Sequence, residues 1–220
     1  MQSVAGETVD TGAASRSAYE SWSRYNTRSQ TMAKWDEAYA KLRAVEGGYS
    51  KHPNDRGGET YAGVARNVHP YWGGWEIVDQ NRNLPGFPDA LRHLSSLERL
   101  VEGFYRSMFW SPLDLEYFTV QSVANEVLDS AVNVGMRRAV TWLQQACNAL
   151  NRNESILGDI AVDGILGKIT LRAANRIAQL DETNLLKVLN VLQGAHYVRL
   201  VGRDPRQEAF MRGWLTRVRL

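Results

Sequence analysis

An interruption constrains this chain more than any other feature. Helical periodicity runs as far as Val45, stops, and resumes at Asp89. Between these points lie Gly47-Gly48, Gly57-Gly58 and Gly73-Gly74, with prolines and a cluster of aromatic residues among them. Glycine and proline punctuate regular structure, so no long helix can span Ser50 to Pro88. The run Glu59 to Ala65, ETYAGVA, reads as a short strand or hairpin. On the N-terminal side, Met32, Trp35, Tyr39, Leu42 and Val45 share one helical face. Thr31 can cap the start of that helix, and Gly47 and Gly48 can end it in a left-handed turn. On the other side, Leu91, Leu94, Leu97, Val101, Phe104 and Met108 repeat at helical spacing from Asp89. Further helices are expected near 121–134, 136–151, 167–179, 183–200 and 206–219. The expected fold is therefore mostly α within an α+β class: a helical bundle carrying one small irregular or β-hairpin lobe.

Several function classes are excluded at this level. Hydrophobic residues make up 44% and charged residues 23% of 220 residues, so the chain can bury a sizeable core. No stretch approaches the ~18 apolar residues of a membrane span. Met1 to Gln30 is polar and lacks the apolar core of a leader, so an extracytoplasmic role would need another route of release or a leader already removed. Cys147 is the single cysteine, which forbids an internal disulfide and suits a buried small hydrophobe. His52, His69, His93 and His196 have no metal-ligand spacing, so no metal and no cofactor is expected. There is no phosphate-binding glycine loop, no Ser-His-Asp order and no nucleic-acid motif. Charge is unevenly placed. Arg199 to Leu220 carries a net +4, while the rest of the chain carries −2. Those arginines form either a solvated helix face or a surface for an anionic envelope.

The interrupted segment holds the chemistry. Glu46 closes its predicted helix, where the carbonyl end carries about half a negative charge. An ionised carboxylate is disfavoured there, and a protonated one can act as a general acid. Asp55 sits in a glycine-bounded loop able to fold back toward it. Paired carboxyl groups are the usual equipment for glycoside cleavage. Thr60 offers a hydroxyl to hold a water, and strand alternation turns Glu59 the other way. Tyr49, Tyr61, Tyr71, Trp72 and Trp75 offer flat faces to sugar rings. Asp129 and Asn133, one turn apart on a helix, are expected to bond to a loop or to backbone. Asp163 is expected to shape its turn, and Trp110 and Trp142 to lie in the core.

The motif Glu46-Gly47-Gly48-Tyr49, then Asp55, Gly57-Gly58 and Thr60-Tyr61-Ala62-Gly63, resembles that of the glycoside hydrolase family 108 N-acetylmuramidases. The later LDSAVNVG run is similar to the family's Asp-x-Ala-Val-Asn-x-Gly helix pair. LQQACNALN with IAVDGILGKITLRAA resembles the small peptidoglycan-binding module often joined to it. The resemblance spans about residues 31–200. It implies a lysozyme-like catalytic domain over 31–135 and a helical peptidoglycan-binding module over 136–220; the polar arm over 1–30 and the basic last helix of the module depart from the family pattern. It implies hydrolysis of the β-1,4 bond between N-acetylmuramic acid and N-acetylglucosamine, an endolysin-type bacteriolytic activity on the cell wall. Glu46 is then the acid; the Glu, Asp, Thr order is also similar to that of phage-type lysozymes, and by that looser analogy Asp55 and Thr60 position or activate the attacking water. The expected partner is the glycan strand of peptidoglycan, engaged by a monomer. A lytic transglycosylase, or a non-catalytic wall-binding protein that assists secretion, stands as the alternative.

Overall fold

The first described helix, α1 (Trp35–Val45), carries Asp36 and Glu37 in its first turn, where the helix dipole favours negative charge. It buries Trp35, Ala38 and Leu42 on one stripe. The computed structural model describes residues 32–51 and 58–219, which belong to one compact unit. Residues 1–30, Thr31, His52 and Asp55 lie outside the described residues. The end of α1 departs from the sequence expectation. Neither Gly47 nor Gly48 is left-handed; the backbone turns extended at Glu46 itself, with φ −76° and ψ 134°.

Three short strands follow: β1 (Tyr49–Lys51), β2 (Glu59–Tyr61) and β3 (Val64–Ala65), antiparallel in the order β1-β2-β3. Tyr49 pairs with Tyr61, Ser50 with Thr60, and Tyr61 with Val64. The β2–β3 turn has φ +46° at Ala62 and φ +78° at Gly63, the two left-handed central positions of a tight hairpin. The sequence signal for this hairpin is therefore realised.

An eight-residue helix that periodicity did not reveal, α2 (Gly74–Asn81), follows the aromatic loop. The helix expected from Asp89 is broken. Asp89–His93 forms a tight 3-10 turn, Leu94 is extended, and α3 (Ser95–Tyr105) begins after it and runs into a π-helical turn over Arg106–Trp110. Next come α4 (Gln121–Val134) and α5 (Met136–Ala149), separated by Gly135 at φ +89°. The two helices expected on either side of Asp181 form one run, α6 (Lys168–Arg203), kinked where Asp181 leaves helical geometry. Last is α7 (Glu208–Leu215), shorter than expected because the chain turns out of helix after Leu215.

Helix α4 is the axis of the core and packs on α1, α5 and α6. It buries Val123, Ala124, Val127, Leu128 and Ala131. The neighbouring helices contribute Trp142, Leu143 and Cys147 from α5, and Ile177, Leu185 and Leu189 from α6. Each fully buried aliphatic side chain of this kind contributes roughly 1.5–3 kcal/mol. Trp110 and Trp142 lie in the core as expected, at 2% and 4% exposure. Between α5 and α6 the buried Gln144 donates to Asp163, to the Ile165 carbonyl and to Thr170, and accepts from the Gly164 amide. Asp163 also accepts the Ile165 amide, so it shapes its turn as its sequence position suggests.

Candidate active site

The candidate site starts from the end of α1. Arg43 donates to the Glu46 and Gly47 carbonyls at 3.2 and 3.3 Å, and so fixes the backbone that carries the Glu46 side chain. Arg43 is itself held by both oxygens of Glu98 on α3, at 2.9 and 3.0 Å. The Tyr61 hydroxyl donates to Glu98 at 2.8 Å. Burial opposes the charge on Glu98, but Arg43 and Tyr61 outweigh it and hold the carboxyl below its ordinary value. One charge-assisted network thus joins α1, β2 and α3 behind the site.

The Glu46 side chain lies against the β2–β3 turn. The turn is pinned on two sides: the Ala62 amide donates to the Gly48 carbonyl at 3.0 Å, and the buried Tyr105 hydroxyl donates to the Ala62 carbonyl at 2.8 Å. A side chain at Gly63 would collide with that hydroxyl and stand 2.5 Å from Glu46 Oε2. Glycine is required at position 63 twice over, by its backbone and by the carboxylate seated against it. Burial, with the neighbouring Glu46 charge second, pushes the Tyr105 hydroxyl well above its ordinary value, so it stays a neutral donor.

The other oxygen of Glu46 meets a residue far away in sequence. Arg217 Nη2 donates to Glu46 Oε1 at 2.9 Å, and Nη1 of the same guanidinium donates to Asp129 Oδ1 at 2.5 Å. All three side chains are largely covered: 9% exposed for Glu46, 12% for Arg217 and 21% for Asp129. Gln193 reaches the second Asp129 oxygen at 3.4 Å, and the Tyr197 hydroxyl donates to Asn133 at 2.9 Å. Burial opposes the Arg217 charge, but Asp129 and Glu46 outweigh it and hold the guanidinium above its ordinary value. Beside them a cavity of about 160 Å³ is lined by Lys41, Val45, Glu126, Asp129, Asn190 and Arg217. Burial, then the Asp129 charge, raises Glu126 to about 7, and its Oε1 has no partner.

The residues anticipated from sequence fall into different environments. Thr60 is central in β2 and half-buried, on the face opposite Glu59 and Tyr61. Asp55 is outside the described residues. Tyr49 is half-buried, edge-on to Phe87 and bonded to Arg82. Tyr71 is 98% exposed and Trp72 half-buried. Two expectations are corrected. Tyr61 and Trp75 offer no face to a sugar in this structure, being 1% and 3% exposed. Tyr61 is drawn inward by Glu98, and Trp75 by the His69 carbonyl and the Arg66 guanidinium over its ring. Glu59 is also engaged elsewhere, between Arg66 and Arg82.

Sequence reasoning missed Arg217 as a neighbour of Glu46. It was read with the other C-terminal arginines as part of an outer surface, yet it points into the site. Asp129 was expected to bond to a loop or to backbone; instead it is ion-paired, through Arg217, to Glu46. Local pattern could not have found either, because the pairings span 171 and 88 residues. Among the described residues, no group of three His, Cys, Asp or Glu side chains could hold a metal ion.

Comparison with known families assigns residues 39–135 to Glycosyl hydrolase 108 and residues 138–219 to a Predicted Peptidoglycan domain. No curated protein matches the chain. A solved structure described as that of Brucella abortus SagA shares its fold, with a TM-score of 0.53. That structure is 22% identical, and the match covers 84% of this chain and 88% of that one.

Proposed function

Because this chain belongs to the glycosyl hydrolase 108 family and carries a peptidoglycan domain after it, we propose that it is an N-acetylmuramidase with Glu46 as its general acid. It cuts the β-1,4 bond between N-acetylmuramic acid and N-acetylglucosamine in peptidoglycan. The observation that carries this reading is the seating of Glu46. Its backbone is fixed by Arg43, and one carboxylate oxygen lies against Gly63. Such preorganisation of a single carboxyl is what proton delivery to a leaving oxygen requires.

In the proposed reaction Glu46 gives its proton to the glycosidic oxygen as the C–O bond breaks. Water adds to the anomeric carbon, and the proton it releases restores the Glu46 carboxylic acid for the next cycle. Asp55 and Thr60 orient that water. Tyr71, Trp72 and Tyr49 are the remaining candidates for contact with sugar rings, being exposed or half-buried.

The wall-binding face is cationic in this reading. Burial, then Arg138, Arg199 and Arg203, lowers the pKa of His196, so these guanidinium groups converge on one surface. None of the three has a carboxylate within ion-pair distance among the described residues, and a groove of about 690 Å³ lies beside Arg138 and Arg199. That charge suits an anionic envelope polymer. The protein acts on the cell wall, and among the described residues no helix is long and apolar enough to cross a membrane.

The test is release of reducing ends from purified sacculi by the parent chain and by Glu46→Gln. The parent is expected to release them and the variant not. Equal release by both would remove Glu46 as the acid. Sedimentation of the parent with sacculi without any product would leave a wall-binding protein.

A further inference from the structure

The candidate acid is covered by its own chain. A polysaccharide cannot reach a carboxyl group that is 9% exposed and already bonded to a guanidinium. The covering group comes from the segment after α7; that segment and the end of α7 rest on α6 through three contacts, and a local hydrogen bond shapes the turn between them. Trp214 stacks on Tyr197 of α6 with ring centroids 5.2 Å apart. The Thr216 hydroxyl donates to the Gly213 carbonyl at 2.7 Å and turns the chain out of helix. Val218 packs over Gly194, where an added Cβ would already lie 3.6 Å from it. The Arg219 amide bonds to Asn190. Between these anchors Arg217 reaches down to Glu46 and Asp129.

The position of Arg217 has a chemical meaning. Glycoside cleavage passes through a cationic sugar flanked by two carboxyl groups. Here a cation lies between two carboxyl groups, one from the end of α1 and one from α4. Resting on the muramidase reading, we propose that Asp129 faces Glu46 across the place of the sugar, as a carboxyl additional to the water-orienting Asp55, and that Arg217 is an intramolecular occupant that must withdraw before a glycan can bind.

The cover is built to be released. Two carboxylates share one guanidinium, and the Glu126 carboxyl stands next to them with an oxygen that has no partner. Apart from the ion pairs of Arg217 itself, the anchors on α6 are a ring stack, one small-residue seat and one hydrogen bond, each of modest strength. Helix α7 itself buries no residue completely, with Phe210 50% and Leu215 45% exposed. A segment held this lightly belongs to the low-stability end of a fold, where lids are found. Contact of the peptidoglycan domain with the wall would supply the energy that moves it, by binding the open form better than the closed one.

The experiment compares the parent with Arg217→Ala, Arg217→Lys and a chain ending at Leu215, all on purified sacculi. Two quantities are read: release of reducing ends, and modification of Glu46 by a water-soluble carbodiimide, followed by peptide mass spectrometry. The occupant account expects Arg217→Ala to cleave about tenfold faster than the parent, because a competing closed state is removed. It expects Glu46 to be modified faster in that variant. Asp129→Asn placed on Arg217→Ala should reduce cleavage to the level of Glu46→Gln. Should Arg217→Ala fail to fold, Arg217→Lys and the shortened chain decide: each loses the two-pronged contact and should exceed the parent in both readouts. Cleavage equal to or below that of the parent in the folded variants would overturn the proposal and make Arg217 a positioning residue. Faster carbodiimide modification without cleavage by any form would keep the occupant and overturn the muramidase reading instead. Full activity of the Asp129→Asn double variant would remove Asp129 from the pair.

Discussion

Two acidic clusters in this molecule are both bridged by arginine, and they are built to opposite plans. In the front lobe, Glu59 and Asp79 meet Arg66 and Arg82 in a ring of four ion pairs, two charges of each sign. Tyr49 adds a hydrogen bond to Arg82. All of these residues fall within 34 positions of one another in sequence, between Tyr49 and Arg82. The rear cluster sets Glu46 and Asp129 against Arg217 alone, with Glu126 beside them, and draws on both ends of the chain. The balanced, local ring ties a hairpin to a helix. The long-range cluster, with Lys41 and Arg219 lining the same cavity, ties the end of α1 and α4 to the C-terminal segment.

The largest expected contrast is in activity. Glu46→Gln should lower sacculus cleavage by about 10²–10⁴-fold, the range of a general acid, with little change in thermal midpoint. Glu59→Gln should do the reverse. It leaves Arg66 and Arg82 facing a buried neutral amide and should cost roughly 2–3 kcal/mol in denaturant unfolding. If Glu59→Gln abolished cleavage while leaving stability intact, the distinction between the two clusters would fail.

Stability against pH sharpens the comparison, because the two clusters carry opposite signs. Burial opposes the charge on Glu59, but Arg66, Arg82 and Tyr49 outweigh it, so its pKa is lower folded than unfolded. Its contribution is present above the ordinary carboxylate range and is lost as pH falls through the folded value. Glu126 is raised from 4.5 to about 7. Its contribution is full below the unfolded value near 4.5 and is lost as pH rises through about 7, a swing of roughly 3 kcal/mol. Subtracting the pH profile of Glu126→Gln from that of the parent should reveal that slope. A flat difference between pH 4 and 8 would show that Glu126 is solvated rather than buried.

Smaller effects test the seat of the acid and the sugar contacts. Gly63→Ala should cost roughly 1–3 kcal/mol, from left-handed strain and the collision with Tyr105 and Glu46. It should also lower cleavage, since the acid must move. Tyr71→Ala should leave stability within about 0.5 kcal/mol and weaken sedimentation with sacculi by a few fold, if its exposed ring stacks on sugar. Unchanged sedimentation would remove it from the glycan path.

What the sequence conveyed follows the same division. The helix ending near Glu46 and the ETYAGVA hairpin depend on neighbours within a few positions and were legible, as were the core tryptophans from their apolar character and the Asp163 turn from its Asp-Gly pair. The kinked α6 was legible as two helices, because Asp181 interrupts the period without separating them. Tyr61 and Trp75 were read as open faces, although their partners Glu98 and the Arg66–His69 pocket draw them inside. Arg217 and Asp129 were illegible as neighbours of Glu46. No periodicity or spacing relates residues 46, 129 and 217, and only packing of α1, α4 and α6 brings them together.

The most direct measurement of the central claim is mass spectrometry of the fragments that the parent and the Glu46→Gln chain release from the same sacculi. The account predicts hydrated N-acetylmuramic acid reducing ends from the parent and none from the variant. Anhydro-sugar ends from the parent would make it a lytic transglycosylase, and identical hydrated products from both chains would contradict the assignment of Glu46.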